Sequence, residues 1–318
     1  MENFQIYRDI QARTGGDIYI GVVGPVRTGK STFIRRFMEI AALPQMSERK
    51  QAEIRDQLPL SGSGKIITTV EPKFIPKEAV SVSLGTEQKV RVRLIDCVGF
   101  LVKDAGGNME DGKERMVRTP WSEKAIPFHE AARIGTQKVI EEHSTIGLVI
   151  TSDGSFGELP RDNFTEAEEK TIQELKKQHK PFLVLVNSQM PYKEAAQKAV
   201  SEIQEKYQVT ALSVNCDQLH KEDIAQILEK ILYEFPVSQI QFFIPKWVEM
   251  LPADHELKKQ LLEQIREKTK HLFQIRDITK EAIQLSGPYV KDSLLEDTGL
   301  SDGTVRVRVR IQDKYYYQ

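Results

Sequence analysis

The sequence predicts an α/β protein: a three-layer sandwich on a mostly parallel sheet with one antiparallel strand, followed by a smaller α+β segment. Three observations lead there. Short apolar runs at 18–23, 146–151, 181–186 and 209–214 have the composition of strands buried on both faces. Helical patterns near 127–142, 165–178, 191–206 and 221–233 alternate with the later runs, the order of a sheet covered by helices. Two stretches of strict alternation, 80–84 and 90–96, flank Gly85-Thr86-Glu87-Gln88, and a hairpin there makes one strand antiparallel.

The first strand feeds Gly24-Pro25-Val26-Arg27-Thr28-Gly29-Lys30-Ser31, which fits G-x-x-x-x-G-K-[ST], the phosphate-binding P-loop. Gly24 and Gly29 let the backbone turn tightly, so that its N–H groups converge on phosphate oxygens. Lys30 reaches the β- and γ-phosphates, and the Ser31 hydroxyl holds Mg²⁺. Arg27, Thr28 and Thr32 lie in or directly after the loop and count with it as nucleotide-contacting. Residues 32–38 continue as a helix whose N-terminus faces the phosphates.

Two segments, 42–70 and 100–126, are too long for tight connections and occupy the places where phosphate-sensing switches occur. From residue 252, Leu257, Leu261, Ile265, Leu272 and Ile275 stand close to helical spacing, which favours a packed helix over a coiled coil. Val305 to Ile311 alternates strictly, as a strand buried on one face does. Its Arg306, Arg308 and Arg310 read as a solvated strand face rather than a nucleic-acid stripe. No sheet partner is recognised for it. The expected domains are therefore 1–237 and a truncated 238–318.

Composition narrows the function classes. A net charge of −1 gives no nucleic-acid footprint. The two cysteines, Cys97 and Cys216, form no C-x-x-C pair, which suits a reducing compartment. The six histidines lack metal-ligand spacing, and His129 and His143 are expected on a helix surface or end. No apolar run approaches the roughly 18 residues of a membrane span. The start of the chain lacks a signal-peptide core. A cytoplasmic protein is expected, touching a membrane surface only through a partner.

Asp96 ends an apolar strand and forms D-x-x-G with Gly99. The carboxylate suits the Mg²⁺ shell, and the Gly99 N–H suits the γ-phosphate. Between the two motifs, Thr69, with Thr68 in reserve, is the candidate to bring a hydroxyl to Mg²⁺. Lys30, Thr69 and Asp96 form the catalytic set. An antiparallel strand before D-x-x-G resembles the small-GTPase-like (TRAFAC) branch of P-loop NTPases. That branch reads guanine with N-K-x-D, where this chain has Asn187-Ser188-Gln189-Met190. Met190 cannot accept the guanine hydrogen bonds, so adenine is accepted and ATP with Mg²⁺ is expected. Asn187 is left to brace the P-loop. Phe100 replaces a water-orienting Gln, which predicts slow hydrolysis. A GTPase with a degenerate base motif and a non-hydrolysing scaffold remain as alternatives.

Residues 14–34 resemble the opening of stage IV sporulation protein A, the spore-coat morphogenetic ATPase family. The resemblance continues through Thr69 with Glu71-Pro72-Lys73-Phe74, Leu94 to Gly99 and Thr119-Pro120-Trp121. It runs on through Ile126 to Ala132, His143 to Gly147 and Tyr233 to Val237. It implies ATP binding and hydrolysis, and self-association into the basal layer of the spore coat on the mother-cell face of the forespore outer membrane. It also implies recruitment by stage V sporulation protein M, a small amphipathic membrane peptide, and contact with other coat morphogenetic proteins. By carry-over, Lys30 and Ser31 hold phosphate and Mg²⁺, Asp96 holds Mg²⁺, and Thr69 is the sensor. The family has two adjacent threonines before Glu-Pro-Lys-Phe, and Val70 takes one of those places here. The family continues through a middle and a C-terminal domain, of which part of the middle domain is recognised.

Overall fold

Seven consecutive buried residues at 146–152 and six at 182–187 mark the centre of the larger sheet, where helices cover both faces. The computed structural model describes residues 12, 17–59, 71–82, 90–103, 109–110, 113–300 and 302–316. It divides into two compact units, 1–231 and 232–318.

In the first unit, β1 (Asp17–Val23) leads into α1 (Lys30–Phe37), and α2 (Glu48–Arg55) follows two short helical turns. Next come β2 (Lys73–Val82), β3 (Val90–Asp96), β4 (Met109–Glu110), β5 (Lys113–Glu114), β6 (Met116–Thr119) and β7 (Ser122–Pro127). After α3 (Phe128–Lys138), which runs on through a wider turn to His143, the chain alternates regularly. The elements are β8 (Ile146–Ser152), α4 (Asp162–Lys177), β9 (Phe182–Asn187), α5 (Glu194–Tyr207), β10 (Ala211–Val214) and α6 (Lys221–Tyr233).

The sheet order is β10-β9-β8-β1-β3-β2. All neighbours are parallel except β2, which runs antiparallel to β3. Val22 pairs with Asp96 and Ser152 with Asn187, so the strand ends that carry polar groups share one edge. One core cluster joins Val23, Ile95, Val149, Val184 and Val186 to helical Ile140, Ile172 and Ile203. Each such side chain, fully buried, contributes about 1.5–3 kcal/mol.

Several expectations shift. The segments 42–70 and 100–126 are not plain connections. The first holds α2, whose one buried side chain, Ile54, is too little to show a helical period. The second holds two short hairpins, and the side chains of β5, β6 and β7 are mostly exposed or half-buried, so no alternation marks them. β2 begins at Lys73, well before Val80, and a register shift between Ile75 and Val80 interrupts its pattern. The predicted hairpin turn at 85–88 lies outside the described residues.

The second unit contains β11 (Gln239–Phe243), α7 (Lys246–Glu249), α8 (Glu256–Thr269), β12 (Val290–Gly299) and β13 (Thr304–Ile311). Here the structure corrects the sequence reading. The strand through Val305 to Ile311 does have sheet partners: β11 lies parallel on one side and β12 antiparallel on the other. Register shifts at Val290/Asp292 and Leu295/Asp297 break the alternation of β12, which hid it. Val305, Val307, Val309 and Ile311 are buried. On the other face Arg306 pairs with Asp297, Arg308 with Glu296 and Arg310 with Asp292. The arginines therefore belong to a solvated, internally neutralised face, as expected. α8 buries Leu257 and Leu261 and stops at Thr269, so Leu272 and Ile275 fall outside its stripe.

Candidate nucleotide site

β1 lies between β3 and β8, and the loop after it reaches the shared edge of the sheet. Gly29 is the N-cap of α1 with φ 95°. A Cβ there would lie 2.4 Å from Asn187 Nδ2. Thr28 is buried, and its hydroxyl donates to the Pro25 carbonyl at 2.9 Å. Arg27 has φ 62° and an exposed side chain, while Thr32 is half-buried in the first turn of α1.

Lys30 is only 5% exposed. Its ammonium donates to the Gly24 carbonyl at 3.3 Å and to the Pro25 carbonyl. Burial draws its pKa down, against the opposing pull of Cys97 and Asp96. The Ser31 hydroxyl donates to Asp96 Oδ2 at 3.2 Å, which joins the P-loop to the end of β3. Burial raises the pKa of Asp96, with Lys30 and the Ser31 hydroxyl opposing. Asp96 Oδ1 is buried and has no hydrogen-bond partner among the described residues. A buried carboxylate oxygen beside a serine hydroxyl is an oxygen donor set that suits Mg²⁺. The buried ammonium and the glycine-shaped loop suit phosphate.

Gly99 has φ 91°, and a Cβ on it would fall 1.9 Å from the Gly24 carbonyl oxygen and 2.8 Å from Lys30 Nζ. D-x-x-G and the P-loop thus touch. The Phe100 carbonyl also accepts the Val26 N–H at 3.0 Å. Thr68 and Thr69 lie outside the described residues.

Asn187 ends β9 and is buried. Its Nδ2 donates to the Thr28 carbonyl at 3.0 Å and its Oδ1 accepts the Cys216 N–H at 3.0 Å. Met190 is half exposed, with its N–H bonded to Ser188 Oγ. The Gln189 N–H donates to Ser155 Oγ at 2.9 Å. The Asp153 carboxylate in the facing loop accepts from the Ser155 N–H and hydroxyl.

Sequence reasoning missed Arg161 and Glu168. Arg161 opens α4, donates to Thr151 Oγ1 and the Ser152 carbonyl, and forms an ion pair with Glu168, which is 1% exposed. The loop it anchors ends in Leu159, which packs on the cluster of Phe164, Val102 and the P-loop's Val26. The only hint was an i,i+7 charge pair on an amphipathic helix, which is too common to single out. His129 lies exposed on α3, and His143 ends its last turn, as expected. Both cysteines are buried and free.

A sheet of this order, with a glycine loop and a buried lysine after its central strand and an acid at the end of the neighbouring strand, defines a P-loop NTPase fold of the GTPase-like type. Residues 1–236 match the family model "Stage IV sporulation protein A, ATPase domain" and residues 237–318 match "Stage IV sporulation protein A, middle domain". The chain belongs to the stage IV sporulation protein A family. It is 43% identical over 320 residues to stage IV sporulation protein A of Bacillus subtilis (strain 168) and 41% over 322 to that of Bacillus anthracis, with 100% of this chain covered in each. It is 44% identical over 321 residues to that of Clostridioides difficile (strain 630), with 99% covered. The chain spans 65% of the length of each of these relatives.

Proposed function

We propose that this chain binds ATP with Mg²⁺, hydrolyses it slowly, and self-associates as a morphogenetic protein of the basal layer of the bacterial spore coat. The observation that carries this reading is the trio of Lys30, Ser31 and Asp96, held together under the P-loop with one carboxylate oxygen lacking a hydrogen-bond partner among the described residues. Gly24 shapes the loop, and Lys30 with the N–H groups from Arg27 through Thr32 holds the phosphates. Ser31 and Asp96 hold the metal, with Thr69 as the third candidate. Bound magnesium would neutralise charge on the β- and γ-phosphate oxygens. Gly99 offers its N–H to the γ-phosphate, and water attacks in line, with positioning as the main catalytic contribution. Phe100 cannot orient that water, hence the slow rate. Adenine is favoured because Met190 stands where a guanine-reading carboxylate is needed.

Family membership supports the coat role and a site in the mother cell, at the forespore surface, with stage V sporulation protein M and coat morphogenetic proteins as partners. Among the described residues no helix is long and apolar enough to cross a membrane. Phosphate release from the purified chain, compared with Lys30→Ala, tests the enzyme reading: equal rates would leave only a nucleotide-binding scaffold. Competition between ATP and GTP tests the base, and a strong preference for GTP would overturn the choice of adenine.

A further inference from the structure

The three-stranded sheet of the second unit has two unlike edges. One is β12, which carries Lys291, Asp292, Glu296 and Asp297 and two register shifts. Charges and bulges are the devices that keep an edge strand from pairing further. The other edge is β11, which has neither. Residues 235–245 hold no charged side chain, and β11 pairs with β13 from Gln239 to Phe243 without a shift.

This edge also lacks cover. Ile240 and Phe242 stand in register with Val305 and Val307 and pack in the same cluster. Val305 and Val307 are 0% exposed, whereas Ile240 and Phe242 are only half-buried. On the opposite face Phe243 is 46% exposed. Among the described residues β13 is the one strand that pairs with β11, which leaves the outer backbone groups of residues 239–243 open. A row of open N–H and C=O groups is a template for an added strand.

The open stretch has fixed ends. Just before it, Pro236 bridges Gln274, and the Val237 N–H donates to the Phe273 carbonyl at 2.9 Å, so the edge is covered there. Just after it, Pro245 takes the chain into α7. These limits select the occupant. Take a second β11 running antiparallel, with Gln241 opposite Gln241. Ile240 then faces Phe242 on the core side, and Gln239 faces Phe243 on the other. Every facing pair is uncharged, and facing residues share one orientation, as antiparallel pairing requires. Pro245 falls opposite Val237, so each chain departs where the other's edge is covered. A longer extended strand would run into that covered end.

We infer that β11 pairs with the β11 of a second copy of this chain, joining two three-stranded sheets into one of six strands. The inference rests on the self-association proposed above and names one contact of it. The contact is isologous and closes at two copies, so larger growth uses a further surface.

Analytical ultracentrifugation of the full chain, with and without Mg²⁺ and ATP, tests this, with phosphate release measured on the same samples. Residue 241 faces itself across the two-fold axis, so Gln241→Lys and Gln241→Glu each bring like charges together. Each variant alone should weaken the two-chain species about fivefold. A one-to-one mixture sets lysine opposite glutamate and should restore pairing to the parent level. Phosphate release should stay at the parent rate throughout. Facing Cα atoms in such a pair lie about 4.5–5.5 Å apart, within disulfide reach. Gln241→Cys treated with the thiol oxidant diamide should therefore give a covalent dimer, and Leu294→Cys on β12 should not. The native cysteines are buried and do not compete.

Variants that pair as well as the parent, with no cross-link at 241, would move self-association to another surface and overturn this inference alone. A mixture no better than its separate variants would mean that the edge takes some other strand, and the two-fold register would fall. Parent protein that stays single at every concentration, with or without ATP, would overturn both this inference and the self-association reading. Variants that lose phosphate release would assign β11 to the support of the nucleotide site and remove its docking role.

Discussion

Asn187 holds Thr28 in place: its Nδ2 donates to the Thr28 carbonyl at 3.0 Å, while its Oδ1 takes the Cys216 N–H. One side chain from β9 thus ties the P-loop to the chain after β10, and Gly29 is glycine partly because this amide crowds it. Asn187→Ala leaves two buried backbone groups unpaired, which costs about 1–3 kcal/mol for each group left unsatisfied. Urea unfolding should show the loss, and ATP affinity should fall with it. Asn187→Asp keeps an acceptor for Cys216 but sets oxygen against the Thr28 oxygen, so it should do no better than alanine. Parent-like affinity in both variants would remove Asn187 from the site.

Gly99→Ala should abolish turnover. The new methyl would sit 1.9 Å from the Gly24 carbonyl oxygen on a backbone at φ 91°, and neither the P-loop backbone nor the turn can yield cheaply. Residues 98–101 must then move away from the P-loop, carrying the Gly99 N–H with them. Single-turnover phosphate release measures this, and a rate within about twofold of the parent would show that the D-x-x-G contact is dispensable.

Asp96 should leave a signature in stability against pH. Burial raises its pKa in the folded chain, so folding takes up a proton. The stability it contributes is full below the ordinary aspartate value and is lost as pH rises through the raised value. Lys30 acts in the opposite direction. Its pKa is lowered by burial, so the stability it contributes is present above the ordinary lysine value and is lost as pH falls through the lowered one. Both charged forms are therefore disfavoured near neutrality. In EDTA, Asp96→Asn should melt higher than the parent at neutral pH and lack the decline above the acid range. With Mg²⁺ and ATP added, the parent should gain melting temperature and the variant should not. Identical melting curves across pH would show that Asp96 is not strained by burial.

The nucleotide side of the fold was legible because its signals are local. The P-loop spacing, the acid at the end of β3 and the unbroken apolar runs of β8 and β9 each sit within about ten residues of sequence. Asn187 could be placed from its position at the end of a strand. What stayed hidden depends on long-range packing or interrupted periods. The β12 strand carries two register shifts, α2 buries one residue, and β5, β6 and β7 are mostly exposed or half-buried, so none presents a clean period.

Arg161 and Glu168 make the last case, because their ion pair is almost fully out of water. Glu168 is 1% exposed, and Arg161 spreads its guanidinium between that carboxylate, Thr151 and the Ser152 carbonyl. Glu168→Ala leaves a desolvated cation and should cost about 3–5 kcal/mol. The pair itself need not stabilise the fold, since its own desolvation offsets its attraction. Arg161→Met combined with Glu168→Leu should therefore recover most of the stability lost in the single variant. The double variant should still bind ATP more weakly than the parent, because Leu159 loses the anchor that sets it on the cluster holding Val26. Chemical denaturation of both variants, with ATP titration of the double, separates the two roles. A double variant as unstable as Glu168→Ala would mean that the pair is a stabilising bond, and parent-like ATP binding in it would mean that the loop does not need Arg161.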